Sequence, residues 1–336
     1  MKIKRLPFGL ALLILTSLPS GCHKTDGTAS AQNSPSPTSR AVVATPGQVA
    51  LSTSPTLQGT VQDLSEKIGQ RNLANYEKLE QTRSYITRRL ERAGYQVELD
   101  EFQVEGKSVY NLVVQKPGSD EILVVGAHYD TAYITPGAND NGSGVAALLE
   151  LAERLKDVTM DRTVRFVFFV NEEPPHFMTK DMGSEVYASR CAEANDQIVG
   201  MLSLETMGYY SDEPGSQHFP PGVEGYPDTG NFLAFVSEPN SQSFLQECLD
   251  SFQGLPVESL VAPATTEGVS WSDHASFWKY GYPGVMVTDT APFRYPHYHT
   301  KNDTADQLDY QSLGRAVDGL EMVIRAVAIE QRDPTP

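Results

Sequence analysis

The spacing of hydrophobic positions changes several times along the chain, and each change marks an element. From Leu57 to Gln70 and from Leu79 to Ala93, apolar residues recur every three or four positions, which predicts two helices, the second ended by Gly94. "YQVELDEFQV" alternates as a strand does, and "SVYNLVVQK" follows as a second strand closed by the turn signal Pro117-Gly118. "EILVVGAHYD" is a continuous apolar run and predicts a central strand. Asn141 to Leu155 places Val145, Leu148, Leu149 and Ala152 on one side, the pattern of a helix packed on a sheet. Next come the strand "TVRFVFFV", a helix near Gly183 to Arg190, and the strand "IVGMLSLE". Gly208 to Gly230, rich in Gly, Pro, Ser and Tyr, predicts an irregular loop. Beyond it the pattern predicts the strand "FLAFVS", a helix from Ser241 to Phe252, an edge strand Val257 to Val261, a short helix Ala275 to Tyr280, the strand "PGVMVTD" and a closing helix Tyr310 to Ala328. Strands and helices alternate throughout. The expected fold is therefore a three-layer α/β/α sandwich around a mixed, mostly parallel central sheet.

Composition adds the chain ends. Met1 to Gly21 has a basic start (Lys2, Lys4, Arg5) and an apolar core too short to span a bilayer as a stable helix, which reads as an export signal. Cys22 follows Ser20 and Gly21, the arrangement of a lipoprotein signal, so membrane anchoring through a lipidated Cys22 is expected, with an ordinary cleaved signal and a secreted product as the alternative. Residues 22–56, mostly Ser, Thr, Pro, Ala and Gly, read as a tether, and 57–332 as a single catalytic domain. The net charge of −17 among 336 residues argues against a nucleic-acid partner. Cys191 and Cys248 are left either to pair or to stay as separate buried thiols.

The candidate chemistry gathers where strands end. Asn171-Glu172-Glu173 stops the run Thr163 to Val170, and Pro174 and Pro175 prevent its continuation. Adjacent carboxylates point in different directions, so one can hold a metal while the other reaches a water beside it. His128 and Asp130 end the preceding strand two residues apart, on one face, as a ligand histidine and its orienting carboxylate would. Asp140 sits in "GANDNGSG" between that strand and the next helix, and Glu205 ends the strand after Glu173. His297 and His299 occupy a late loop, and spacing alone does not choose between them. Each signal alone is better explained by a solvated acid or a helix cap. Together they bring oxygen and nitrogen donors without sulfur to one edge of one sheet, a set suited to zinc in a hydrolytic site.

The strings "GAHYDT", "GANDNGSGVAALLE", "NEEPP", "GSEVYA", "LETMG", "SDHASF" and "HYHTKNDT", in this order over Glu121 to Thr304, resemble the zinc-dependent aminopeptidase family of the secreted bacterial leucyl aminopeptidases, whose relatives include glutamate carboxypeptidase II and the glutaminyl cyclases. The resemblance implies two zinc ions bridged by Asp140. His128 and Glu205 would complete one site, and Glu173 and His299 the other. Glu172 would be the general base, Asp130 would stand behind His128, and Asp273 and His274 would support or line the site. The implied substrate is a peptide with a free N-terminus. A single-zinc cyclase and a non-enzymatic surface-anchored relative are the rival expectations. The chain departs from the family twice. Glu205 stands where the leucyl aminopeptidases have Asp, and Val269, Ser270 and Trp271 stand where they carry a Tyr near "SDH". The oxyanion role of that Tyr is left to Tyr209, Tyr295 or His274.

Overall fold

The strand β3 (Ser119–His128) lies at the centre of the molecule. Ile122 to Val125 and Ala127 are 4% exposed or less. Burying each larger side chain is worth about 1.5–3 kcal/mol, enough to fix where the polar end of the strand, His128, must stand. The computed structural model of the chain describes residues 56–329. The expected export signal, Cys22 and all but the last residue of the expected tether lie outside the described residues. No helix among the described residues is long and apolar enough to cross a membrane.

Around β3 the chain lays down β1 (Glu98–Val104), β2 (Lys107–Lys116), β4 (Arg162–Phe169), β5 (Gln197–Glu205), β6 (Leu233–Ser237), β7 (Val257–Val261) and β8 (Gly284–Thr288). They form one sheet in the order β1-β2-β4-β3-β5-β8-β6-β7. The central strands β4, β3, β5 and β8 run parallel, while β1–β2, β2–β4 and β6–β8 are antiparallel. The carboxyl ends of β3, β4 and β5 are therefore neighbours. The predicted edge strand Val257–Val261 is indeed at an edge.

The helices are α1 (Leu57–Gln62), α2 (Tyr76–Arg92), α3 (Gly144–Leu155), α4 (Gly183–Ala194), α5 (Gln242–Ser251), α6 (His274–Trp278), α7 (Ala291–Arg294) and α8 (Tyr310–Ala328). Alternate residues of β3 enter different cores, as the two-residue period of a strand requires. Leu123, Val125 and Ala127 pack with residues of α2, α3, α5 and α8. Ile122 and Val124 pack with Tyr187 and Cys191 of α4 and Phe277 of α6. The three-layer α/β/α sandwich around a mixed sheet is thus the observed architecture. Cys191 and Cys248 are free and buried in the two different cores, so the alternative of separate thiols holds.

Three differences from the expected elements have local causes. The helix expected from Asn141 begins at Gly144, because Asp140 and Asn141 leave helical backbone angles in the wide turn Ala138–Ser143. The first helix loosens into a π-helical turn at Asp63–Ile68, ended by Gly69 at φ 81°. The one-turn α7 was not expected. It follows Thr290 in the left-handed region, and its helical residues hold only a single backbone-bonded turn.

Candidate metal centre

Three parallel strand ends and two loops converge on one cluster. The end of β3 supplies His128. The segment after β4 supplies Glu172 and Glu173, and the last residue of β5 is Glu205. The turn Ala138–Ser143 carries Asp140 across the top of the sheet. Its path depends on small residues. Gly137 has φ 68°, and a Cβ there would lie 2.4 Å from Thr131 Cγ2 and 2.6 Å from the Asp140 carbonyl. At Gly144 a Cβ would lie 2.3 Å from Asn141 Oδ1 and 2.4 Å from the Leu204 carbonyl.

Asp140 stands between two histidines. Its Oδ1 is 3.3 Å from His128 Nε2, and its Oδ2 is 2.9 Å from His299 Nε2. His128 Nε2 is also 3.2 Å from Glu205 Oε2, and His299 Nε2 is 3.2 Å from Glu173 Oε1. Glu172 Oε2 is farther from His128 Nε2, at 3.8 Å. That order of distances puts Asp140 and Glu205 ahead of Glu172 as partners of His128. His297 is turned away and packs edge-on against Tyr295, so geometry selects His299.

The cluster fits divalent cations on its own evidence. His128 Nε2 and Asp140 Oδ2 are buried without a hydrogen bond, although each has an oppositely charged group within 3.3 Å. Buried polar atoms normally find partners, and these converge on common points without satisfying one another. The donors are imidazole nitrogens and carboxylate oxygens with no sulfur. Electrostatics agree. Burial opposes the charge on His128, but Glu172 and Glu205 outweigh it and hold the imidazole well above its ordinary pKa. Burial likewise opposes His299, and Asp140 and Glu173 raise it to about 10. Burial would raise Asp140, yet hydrogen bonding and charge from His128 and His299 hold it well below the carboxylate range. Burial and the charge of Asp140 push Glu173 up to about 7, and burial lifts Glu172 and Glu205.

The surrounding residues set the geometry. Asp130 Oδ1 and Oδ2 accept the backbone N–H groups of Glu172 and Glu173 at 3.0 and 3.1 Å, and Oδ1 lies 3.6 Å from His128 Nδ1. Asp130 thus fixes the backbone of both glutamates and faces His128 Nδ1 without a hydrogen bond. Ser272 donates to Glu205 Oε2 at 2.8 Å and pairs with Ser203 at 2.9 Å, which holds the longer carboxylate in place. Asp273 is fully buried beside the cluster, and burial pushes its carboxyl up to about 7. The His274 ring is engaged elsewhere, with Nε2 2.8 Å from the Val269 carbonyl and its ring edge-on to Trp278.

Several residues that matter were not singled out in the sequence. Asp303 accepts the N–H groups of Asn139 and Asp140 at 2.7 and 3.1 Å and the Tyr295 hydroxyl at 3.0 Å. Asp289 accepts from the Asn139 amide at 2.9 Å. Arg71, fully buried, donates to the carbonyls of Tyr129, Pro136 and Gly137 at 2.7–2.8 Å. Tyr298 stacks on His299 with ring centroids 3.9 Å apart. Burial, with Asp140, Glu173, Glu205 and Glu172 nearby, raises its phenol far above the usual range. Of the three expected oxyanion candidates, Tyr295 is committed to Asp303, and Tyr209 packs on Tyr295.

Comparison with known proteins bears on this geometry. Residues 111–324 match peptidase family M28. The uncharacterised YfbL protein of Escherichia coli is 36% identical over 278 residues, 79% of this chain and 85% of that protein. The probable leucine aminopeptidase 1 of Trichophyton verrucosum is 29% identical over 224 residues, 61% of this chain and 54% of the other, so the chain spans about half the length of that relative. Among solved structures, a zinc aminopeptidase from Bacillus subtilis superposes with a TM-score of 0.65 at 17% identity, covering 84% of this chain and 97% of that one. A glutaminyl cyclase from Fimbriiglobus ruber superposes with a TM-score of 0.60 at 21% identity, covering 84% and 99%. These two likenesses concern the fold.

Proposed function

The chain belongs to peptidase family M28, and from that premise we propose that it is a two-zinc aminopeptidase that removes N-terminal residues from peptides. The observation that carries this reading is the placement of Asp140, whose two oxygens address two different histidines, with Glu172 beside them. His128, Asp140 and Glu205 would hold one ion, and Asp140, Glu173 and His299 the other. When bound, zinc lowers the pKa of a water and polarises a carbonyl.

The remaining work falls to the chain. Glu172 takes the proton from the attacking water and returns it to the leaving amine. Asp130 keeps Glu172 and Glu173 in register through the backbone N–H groups it accepts. Tyr298 donates its hydroxyl to the carbonyl oxygen as charge develops there, the part assigned by resemblance to a Tyr near "SDH". The cluster's carboxylates attract the free amino group of the substrate.

The test is the zinc content of the purified protein, measured alongside cleavage of a panel of aminoacyl chromogenic amides. About two zinc ions per chain and cleavage abolished by a chelator are expected. One zinc, no amide cleavage and ammonia release from a Gln-initiated peptide would replace this reading with a cyclase. A metal-free chain without activity would replace it with a non-enzymatic role. For location, the basic and apolar start before Cys22 supports an exported, envelope-anchored protein. Cys22→Ser should then move it from the membrane fraction to the soluble fraction.

A further inference from the structure

Beside the cluster lies a cavity, partly open to solvent, whose lining includes Glu205 and Tyr298. A peptide whose first carbonyl sits at the metal-binding residues meets this cavity directly. We propose that it receives the side chain of the substrate's N-terminal residue and that it favours an aromatic ring over leucine. The proposal rests on the exopeptidase reading above and specifies its substrate class.

The first argument is shape. The floor is the outer face of β6, where the two-residue period brings Phe232, Ala234 and Val236 to one side while Leu233 and Phe235 enter the main core. Ala234, set between two larger side chains, makes a depression. Met286 of β8 lies in the same apolar cluster. Its lining is predominantly apolar, as ligand cavities commonly are.

The second argument is chemistry. Two ring pairs line the walls. Phe219 and Tyr226 stack with centroids 5.6 Å apart and planes at 29°, and Trp271 and Phe293 stack at 6.4 Å and 17°. Trp271 remains 39% exposed at the mouth. Ring faces and edges give a guest ring offset and edge contacts that an aliphatic chain cannot match. Besides Glu205, the acidic residues on the lining are Glu258 and Glu267. They oppose acidic side chains. The other side of the cluster differs in kind. There a polar cavity is lined by residues that include Asp130, Glu173, Lys107 and His176. An aromatic side chain therefore has one favourable direction.

The experiment compares kcat/KM for the L-Phe, L-Leu, L-Ala and L-Lys members of one chromogenic amide series on the zinc-loaded protein. Phe should exceed Leu, and should exceed Ala by at least roughly tenfold. Ala234→Phe fills the depression and should lower the Phe-to-Ala ratio by about tenfold or more. Should thermal melting show that this variant does not fold, Trp271→Ala at the exposed mouth replaces it and should lower the same ratio. Leu or Lys equal to or above Phe, or a ratio unmoved in the folded variant, overturns the proposal. Calorimetric binding of L-phenylalanine against L-alanine separates it from the reading it rests on. Tighter L-phenylalanine binding without cleavage of any amide keeps the pocket and removes the peptidase. Equal binding of the two removes the pocket whatever is cleaved.

Discussion

Glu172 and Glu173 are neighbours in the chain with separate duties, and their contacts divide them. The Glu173 carboxylate accepts the Ala132 N–H at 3.0 Å and faces His299, so it is fixed. The Glu172 backbone is held by Asp130, and its carboxylate stands 3.8 Å from His128 Nε2, beyond hydrogen-bond distance, which suits the proton exchange proposed for it. Glu172→Gln should keep close to the wild-type zinc content and lose about 10²–10⁴ in kcat, a general-base contribution; parallel metal analysis and turnover measurements check both halves. Asp303 acts at the same scale without touching a metal donor's side chain. Asp303→Ala strips an acceptor from two buried N–H groups on the Asp140 turn. It should weaken zinc binding by about 10–100-fold, as loss of an outer supporting partner does, read by competition with a chelator.

At the scale of elements, α3 passes close to the end of β5 at Gly144. Gly144→Ala drives a Cβ against the Leu204 carbonyl and Asn141 Oδ1. Overpacking of this kind costs about 1–3 kcal/mol, seen as a lower denaturation midpoint with an unchanged slope. The strands that carry the site were plain in the sequence because β3, β4 and β5 are largely buried on both faces and read as apolar runs, broken only by Arg165 in β4 and Ser203 in β5 between their polar ends. The glycines of "GANDNGSG" announced a close approach, and the structure identifies what is approached. His299 could be separated from His297 only by resemblance until the fold placed it opposite Asp140 and Glu173. Asp289 ends the predicted strand "PGVMVTD" and Asp303 lies within "HYHTKNDT", but neither these positions nor that of Arg71 reveals the partner each one holds. Each bonds the backbone or amide of a segment remote in sequence, and such pairings have no periodicity to read. Tyr298 was overlooked because its two histidine neighbours drew the reading.

For the whole molecule, two buried groups outside the ligand set bound the pH range of stability. Burial lowers His274 from 6.5 to about 4. The unfolded chain therefore takes up a proton there before the folded chain does, so this contribution is complete above pH 6.5 and is lost as pH falls toward 4. Burial raises the Cys191 thiol from 9.0 to about 12. The folded chain keeps a proton that the unfolded chain releases, so stability falls as pH rises from 9 toward 12. Burial also raises Asp273 to about 7, so its contribution falls as pH rises from 3.8 toward 7 and opposes that of His274; melting temperature should level off only above pH 7, up to about pH 9. Cys191 and Cys248 should resist a thiol reagent at pH 8 until denaturant is added, since both are buried and burial raises both. A further consequence lies in the order of assembly. A ribosome that has reached Gly281 has already released His128, Asp140, Glu173 and Glu205, but not His299, Asp289 or Asp303, the residues that close the bridge and pin its turn. An unfinished or C-terminally clipped polypeptide would then carry four of the five proposed metal-binding residues without His299, and without the two aspartates that pin the Asp140 turn.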